Sequence, residues 1–460
     1  MPLIHSELPQ FPLSSSMPPT PPQITLPEYN LRLAKTRDAM LRRNLTHLIV
    51  YADREHSANM AWLTGFDPRF EEALLILTPG TTPLILVGTE CESYLPISPL
   101  FKARSLRHER FEPFSLLNIA RNNSRQLDEI LRGEGINAES TVGTVGWKYF
   151  HPNEHPLGQK ALEIPAFIAD TIRAIAPHTV NATDIFHHPA TGLRTFCSAA
   201  EIAVFEHSNI LASNGMRNMI EAIRPGMSDF DLAAHMGFNG LPHSCHWNVK
   251  TGPNRISLAS PSGNIVQRGQ PLSANIALAG ANCCRSAFVA EDEYEAPEGY
   301  VQHFVTPYLN AMNEWFSMLR IGAIAGEIEA RMRHLLPFDL FHVKLNPGHL
   351  IHLDEWLSSP FYPGSTVELH SGMAIQSDVI PSHPIFISTR MEDTYVLAGA
   401  ALRAELQRDH PDCLTRCLAR REFMRTVLGL EIPDDLLPLS NLPGVISPYL
   451  LAPHKFLALC

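Results

Sequence analysis

The chain has 460 residues, of which 45% are hydrophobic and 18% are charged, and its formal net charge is −11. At roughly 150 residues per domain, this length predicts two or three domains with ample core. The acidic balance argues against a broad surface for nucleic acid or anionic membrane. No apolar run reaches the roughly 18 residues needed to cross a bilayer, and the N-terminus lacks the pattern of a secretory signal. The eight cysteines lack paired spacing, so we expect a reduced, cytoplasmic protein.

The first part of the chain predicts an α/β domain. Residues 1–26 are rich in Pro and Ser and lack periodicity, so we expect a flexible tail. Residues 27–44 have the apolar spacing of an amphipathic helix. The runs HLIVYA, ALLILTP and PLILVG predict buried strands, and helices are expected near residues 118–132 and 160–175. This alternation predicts an α/β domain over residues 27–190.

A second domain is expected over residues 195–403. It opens with two capping boxes, Ser198 with Glu201 and Ser228 with Asp231, which predict the starts of two helices separated by Arg-Pro-Gly.

A later helix pair resembles this first pair and indicates an internal repeat. It comprises residues 302–319 and the run EIEARMRHLL. Strand-like runs with turns rich in Pro, Gly and Ser then extend over residues 342–395. Residues 404–460 form a C-terminal extension whose role the sequence does not reveal.

Several motifs resemble one known family. PGHLIHL, which contains His349, resembles the Gly-His motif of the pita-bread family, which includes methionine aminopeptidase, aminopeptidase P, prolidase and creatinase. SGMAIQSDVIP and RMEDTYVL resemble the family's Gly-Met strand and its final Arg-x-Glu-Asp strand. NMAWLTGF resembles the Tyr-Leu-Thr-Gly-Phe signature of the N-terminal domain of creatinase and aminopeptidase P. The resemblance covers about residues 27–403 and implies an α+β fold, in which a creatinase-like N-terminal α/β domain precedes a pita-bread domain, and a homodimer.

The pita-bread family binds two metal ions between two aspartates, a histidine and two glutamates, and the resemblance places these positions on this chain. The two aspartates fall on Asn275 and Ser286, neither of which is an anionic ligand. The histidine is His349, the first glutamate becomes Asp378, and the last is Glu392. Sites of this kind hold divalent ions and activate a bridging water. The resemblance therefore implies a divergent site that keeps three of five ligand types.

The residues that surround this site also depart from the family. Its two supporting histidines fall on Leu258 and Trp356. Arg390 could pair with a substrate carboxylate or with a neighbouring acid. Cys245 lies between two histidines, but neighbouring residues on an extended strand face opposite sides, which disfavours a thiol nucleophile. Asp393 is expected to form a structural salt bridge or to cap a turn. The candidate substrate-binding residues are Asn275, Ser286, His246, His352, Glu355, Trp356 and Arg390.

Three functions remain open from the sequence. The leading hypothesis is a non-peptidase hydrolase that acts on a C–N bond of a small amino-acid-derived substrate, without the usual dinuclear metal centre. His349, Asp378 and Glu392 would be catalytic, either without metal or around a single divalent ion such as Mn, Fe or Zn. The second is an Xaa-Pro peptidase with a rearranged metal site, in which Asp354 or Glu355 replaces a missing ligand. The third is a catalytically inactive binding or regulatory protein.

Overall fold

The computed structural model describes residues 3–7, 20–120, 123–253 and 258–459. The chain divides into two compact units, one of Ile24–Leu193 and one that joins Met1–Gln23 to Arg194–Cys460. Most of the expected N-terminal tail lies outside the described residues, although Leu3–Glu7 forms a strand, β1. Within the described ranges, none of the helices combines the length and the apolar character that crossing a bilayer requires.

The unit Ile24–Leu193 is built on one six-stranded mixed sheet with the order β5-β4-β3-β2-β6-β7. Strands β2 to β4 are buried along their whole length, which explains why they appear in the sequence as continuous apolar runs. The strands are β2 (His47–Ala52), β3 (Ala73–Leu77), β4 (Leu84–Val87), β5 (Arg107–Arg110), β6 (Thr141–Val145) and β7 (His178–Asn181).

Seven α-helices accompany this sheet in the described residues. The amphipathic helix expected at residues 27–44 is α1. The helices expected at residues 118–132 and 160–175 are shorter than predicted, because a capping box at Gln126 and a proline at the N-cap, Pro165, set their starts. The helices are α1 (Leu26–Arg42), α2 (Ala58–Thr64), α3 (Thr89–Tyr94), α4 (Pro99–Lys102), α5 (Leu127–Gly133), α6 (Ala166–Ile175) and α7 (Asp184–His187).

The second unit begins with a long helix whose predicted capping box is confirmed. The Ser198 hydroxyl accepts a hydrogen bond from the Glu201 N–H, and Glu201 accepts one from the Ser198 N–H. The capping box of Ser228 and Asp231 is confirmed in the same way at the next helix. The helices are α8 (Ala199–Ala222), α9 (Asp229–His235), α10 (Thr306–Met318), α11 (Ala325–Leu335), α12 (Phe338–Phe341), α13 (Ala400–Asp409) and α14 (Pro411–Thr426).

The strands of this unit form two four-stranded sheets, β15-β10-β9-β8 and β11-β12-β16-β17, and two two-stranded sheets, β13-β14 and β1-β18. Residues 404–460 belong to the same compact unit, since they supply β17, which pairs with β16, and β18, which pairs with β1. The strands are β8 (Asn248–Thr251), β9 (Pro271–Leu278), β10 (Ala281–Phe288), β11 (His349–Leu350), β12 (Ala374–Gln376), β13 (Ser382–His383), β14 (Ile387–Ser388), β15 (Arg390–Glu392), β16 (Thr394–Leu397), β17 (Leu436–Pro438) and β18 (Lys455–Leu459).

The β9–β10 hairpin sets which polar side chains share a face. Its strands are joined by two residues, and Gly280 has a φ of 75°, which favours glycine. In the resulting register Cys284 lies opposite Asn275, and Ser286 lies two residues further along. Because side chains alternate along a strand, Asn275, Cys284 and Asn282 lie on one face. Ser286 shares this face, but it pairs with Ser273 and is not the direct neighbour of Asn275 across the hairpin.

Candidate active site

A buried histidine and a glutamate form the centre of the candidate site. His349 lies on β11 and is fully buried, and its Nε2 is 3.0 Å from Oε1 of Glu355, which follows in the next loop. Its other nitrogen, Nδ1, is 3.2 Å from the carbonyl oxygen of Leu350. Both nitrogens thus lie near oxygen acceptors, an arrangement that favours the doubly protonated ring, the imidazolium.

The charges around His349 favour this cationic form. Burial lowers the pKa of His349, but the carboxylates of Glu355, Asp378 and Glu392 oppose it and raise that pKa to about 9. Burial raises the pKa of Glu355, but the positive charge and hydrogen bond of His349 lower it by more. The pKa of Glu355 therefore lies below its usual value. His349 and Glu355 therefore form an ion pair at neutral pH.

Two further carboxyl groups lie beside this pair. Asp378 follows β12 and Glu392 ends β15, and the Asp378 side chain is within hydrogen-bonding reach of Glu392. Burial raises the pKa of both groups, and the Asp378 charge raises that of Glu392 well above its usual value. Two buried carboxyl groups in contact do not both ionise, so they hold one proton between them. We assign this proton to Glu392, because burial and the neighbouring Asp378 charge both raise its pKa, whereas the charges of His349 and Arg390 lower the pKa of Asp378.

Side-chain amides connect the carboxylates to the hairpin. The Nδ2 amide of Asn282 donates to Oε1 of Glu392 at 2.7 Å and to Oε1 of Glu355 at 3.3 Å. Asn275 donates to Oδ1 of Asn282 at 3.3 Å and accepts from the Asn248 N–H at 2.9 Å. Asn282 was not among the residues predicted from the sequence, yet it contacts two of the three carboxylates.

Trp356 and Arg390 border the cluster. The indole ring of Trp356 stacks on the His349 imidazole, with ring centroids 4.2 Å apart and an interplanar angle of 20°. Arg390 is buried and donates to the Ser273 hydroxyl at 3.2 Å, while its Nε has no hydrogen-bond partner among the described residues. Its charge lowers the pKa of Asp378 and thereby offsets part of the burial effect.

Three residues predicted to contact substrate lie away from this cluster. His352 turns toward α8, where its Nε2 is 3.0 Å from Oε1 of Glu201. The His246 ring is exposed, and its carbonyl oxygen accepts a hydrogen bond from Asn275 at 3.3 Å. Ser286 lies beside Arg390 in a separate small cavity, and no hydrogen bond among the described residues joins it to His349 or to the carboxylates.

The other candidate groups have structural roles or poor reactivity. Asp354 pairs with the buried Arg194 at 2.6 Å. Asp393 forms the expected structural salt bridge, with Arg285 at 2.8 Å. Burial raises the pKa of Cys245 to about 12, so it remains a thiol rather than a nucleophilic thiolate.

The donor set decides which metal centres fit these residues. Asn275 and Ser286, to which the motif resemblance assigns the two aspartate positions, carry neutral side chains, and neutral groups are weaker ligands for a pair of divalent ions than carboxylates are. Donor atoms of His349, Glu355 and Glu392 lie within 4.8 Å of one another, and their types suit a single divalent ion. The Asn282 amide already donates to both of those carboxylates, so an ion would compete with it for the same oxygens.

Several solved structures match most of the chain. No family model matches the sequence, and no curated protein matches it. The prolidase from Thermococcus sibiricus is 14% identical with a TM-score of 0.63, and the match covers 90% of this chain and 96% of that chain. Dipeptidase PepE from Mycobacterium ulcerans is 18% identical with a TM-score of 0.62, covering 82% and 95%. The X-Pro aminopeptidase from Thermotoga maritima is 13% identical with a TM-score of 0.59, covering 80% and 94%.

These structural matches show the fold, and they agree with the α+β class predicted from the motifs. The chain has the two-domain pita-bread fold that prolidases, Xaa-Pro dipeptidases and aminopeptidase P share.

Proposed function

We propose that this protein hydrolyses a C–N bond of a small, amino-acid-derived substrate by acid–base chemistry that needs no dinuclear metal centre. The observation that carries the proposal is the position of the two His349 nitrogens, which face the Glu355 carboxylate and the Leu350 carbonyl. A buried imidazolium supplies fixed positive charge beside the carboxyl groups, and it can stabilise negative charge that develops on a substrate as a bound cation would.

The carboxyl pair can move the protons that hydrolysis requires. Ionised Asp378 takes a proton from water as the water oxygen forms its bond to the substrate carbon. The imidazolium of His349 stabilises the negative charge that develops on the attacked group. Protonated Glu392 then gives its proton to the leaving nitrogen as the C–N bond breaks. The proton acquired by Asp378 returns to Glu392 through their hydrogen bond, and the site is reset.

The partly exposed residues indicate where substrate enters. Glu355 and Trp356 are half-buried, whereas His349, Asp378 and Glu392 are buried. We place the substrate against the Trp356 ring, with Asn275 and Asn282 orienting its polar groups. We infer a small substrate, because the reacting groups lie close together behind one aromatic side chain.

A substrate screen with matched variants tests the proposal. The purified protein is incubated in chelator with amino-acid amides, N-acyl amino acids, guanidino acids and Xaa-Pro dipeptides, and released amines are detected by mass spectrometry. Glu392→Gln and Asp378→Asn should lower turnover by roughly 10²-fold or more, because each removes a proton-transfer group. Glu368→Gln is the matched control, since Glu368 lies in an exposed pair with His370 at 3.8 Å. Turnover that survives in both site variants would contradict the assigned roles.

A second candidate is Xaa-Pro peptidase activity with one divalent ion. It is favoured by the convergence of His349, Glu355 and Glu392 and by the peptidases among the similar structures. Glu355 here takes the place of a missing ligand. Such an ion would polarise the scissile carbonyl. Cleavage of Xaa-Pro dipeptides that requires manganese and stops in chelator would favour this candidate over metal-free hydrolysis. No turnover of any substrate, with or without metal, would leave a binding role.

A further inference from the structure

A second convergent cluster lies outside the candidate active site. It consists of Cys197, just before α8, Glu201 in the first turn of α8, and His352 in the loop after β11. All three side chains are buried. Their sulfur, carboxylate oxygen and imidazole nitrogen lie within 4.8 Å of one another, and His352 Nε2 is 3.0 Å from Glu201 Oε1.

The surrounding structure holds these three donors in place. The Cys197 N–H donates to the Gly372 carbonyl at 2.8 Å. One oxygen of Glu201 accepts from the Ser198 N–H in the capping box, which leaves Oε1 directed at His352. The Phe205 ring packs edge-to-face on the His352 ring at 4.9 Å. Because the side chains are already ordered, a ligand bound among them incurs little further loss of conformational entropy.

The chemistry of the donors points to zinc. We propose that Cys197, Glu201 and His352 bind one Zn²⁺ ion, with water as the fourth ligand. Zinc binds thiolate, imidazole and carboxylate in tetrahedral geometry, and bond lengths of about 2.0–2.2 Å place its nitrogen and oxygen ligands about 3.4 Å apart. The 3.0 Å separation of His352 and Glu201 is close to this span. Thiolate and carboxylate together balance the charge of the ion, so the buried centre is neutral.

The position of this centre gives it a structural consequence. It joins the N-terminus of α8 to the loop that begins at His352 and continues to Glu355 and Trp356. Zinc would therefore fix the loop that places Glu355 on His349. This role differs from catalysis at His349, because the two clusters use different donors.

Cobalt substitution distinguishes this centre from any metal at His349. Zinc content is measured by plasma mass spectrometry, and the metal-free protein is then loaded with Co²⁺, whose bond to a thiolate gives a near-ultraviolet charge-transfer band. We expect about one zinc per chain and a cobalt–thiolate band in the unaltered protein and in His349→Ala. Cys197→Ser should lose the band, and its zinc affinity should fall by roughly 10²-fold or more.

Two results would overturn the proposal. One is the absence of both zinc and the charge-transfer band in the unaltered protein, even after titration with either metal. The other is a band that persists in Cys197→Ser, which would assign the thiolate to another cysteine. His352→Gln is a second variant that keeps the ligands Cys197 and Glu201. We expect it to lose zinc as well. Circular dichroism of each variant confirms that it is folded before its metal content is compared.

Discussion

Glu355→Gln is the perturbation whose effect follows most directly from the geometry. Burial disfavours the imidazolium of His349, and Glu355 is the largest of the charges that oppose burial. The substitution preserves the side-chain volume and removes that charge. We expect the pKa of His349 to fall, so that the buried ring becomes neutral at pH values where it is now cationic.

The size and pH dependence of the effect follow from linkage. A rise in the pKa of His349 from 6.5 to about 9 corresponds to about 3 kcal/mol of folding free energy. Because the folded pKa lies above the unfolded one, this contribution is fully present below pH 6.5 and is lost as the pH rises through about 9. Asp378 and Glu392 also raise this pKa, so Glu355→Gln should remove a large part of this contribution at about pH 6 and little of it at about pH 10.

Urea unfolding over this pH range measures the difference. Glu368→Gln makes the same chemical change in an exposed Glu–His pair, and its effect should be small at every pH because exposed pairs contribute little. The reasoning is refuted if the destabilisation by Glu355→Gln is independent of pH, or if it grows as the pH rises.

Three further predictions concern the amide network, the buried salt bridge and the first capping box. Asn282→Asp places a third carboxylate beside two others, so in chelator the free energy of unfolding should fall by roughly 2–4 kcal/mol. Added manganese should raise the melting temperature of this variant again, and thermal melts measure both effects. Arg285→Met leaves the Asp393 carboxylate buried without its ion pair and should cost about 3–5 kcal/mol in urea unfolding, whereas adding Asp393→Leu should restore part of this loss. Ser198→Ala removes the N-cap acceptor of α8 and should cost about 1 kcal/mol, measured by thermal unfolding against the exposed control Ser93→Ala.

The sequence indicated part of the candidate site because motifs carry local geometry. The Gly-His, Gly-Met and Arg-x-Glu-Asp motifs identified His349, Asp378 and Glu392, and the structure brings these three together. Both capping boxes were predicted correctly, since each depends only on residues three positions apart.

The site contacts that the sequence did not indicate depend on strand register and on contacts between residues that are far apart in the chain. The resemblance assigned the two aspartate positions to Asn275 and Ser286, but it did not identify Asn282, which the two-residue hairpin turn brings into contact with Asn275. Recognising Ala279-Gly280 as a tight turn would have given this register. The direction of His352 depends on Glu201, which lies 151 positions away, and no local pattern encodes such a contact.

The strands of the C-terminal residues 404–460 were not predicted, for a different reason. Its strands are short, and β17 has only three residues, Leu436–Pro438. Periodicity cannot be recognised over so few positions. The pairing of β17 with β16 and of β18 with β1 follows from the tertiary fold rather than from sequence pattern.

The central claim is that His349 is a metal-free imidazolium held by Glu355. Nitrogen chemical shifts of His349 in ¹⁵N-histidine-labelled protein, assigned with His349→Gln and followed across pH, test this most directly. We predict that both ring nitrogens carry protons at neutral pH, that the ring titrates near pH 9, and that Glu355→Gln moves this titration to lower pH. A His349 ring that is neutral at pH 7, or one that does not titrate and has the shift of a metal-bound nitrogen, would contradict the account.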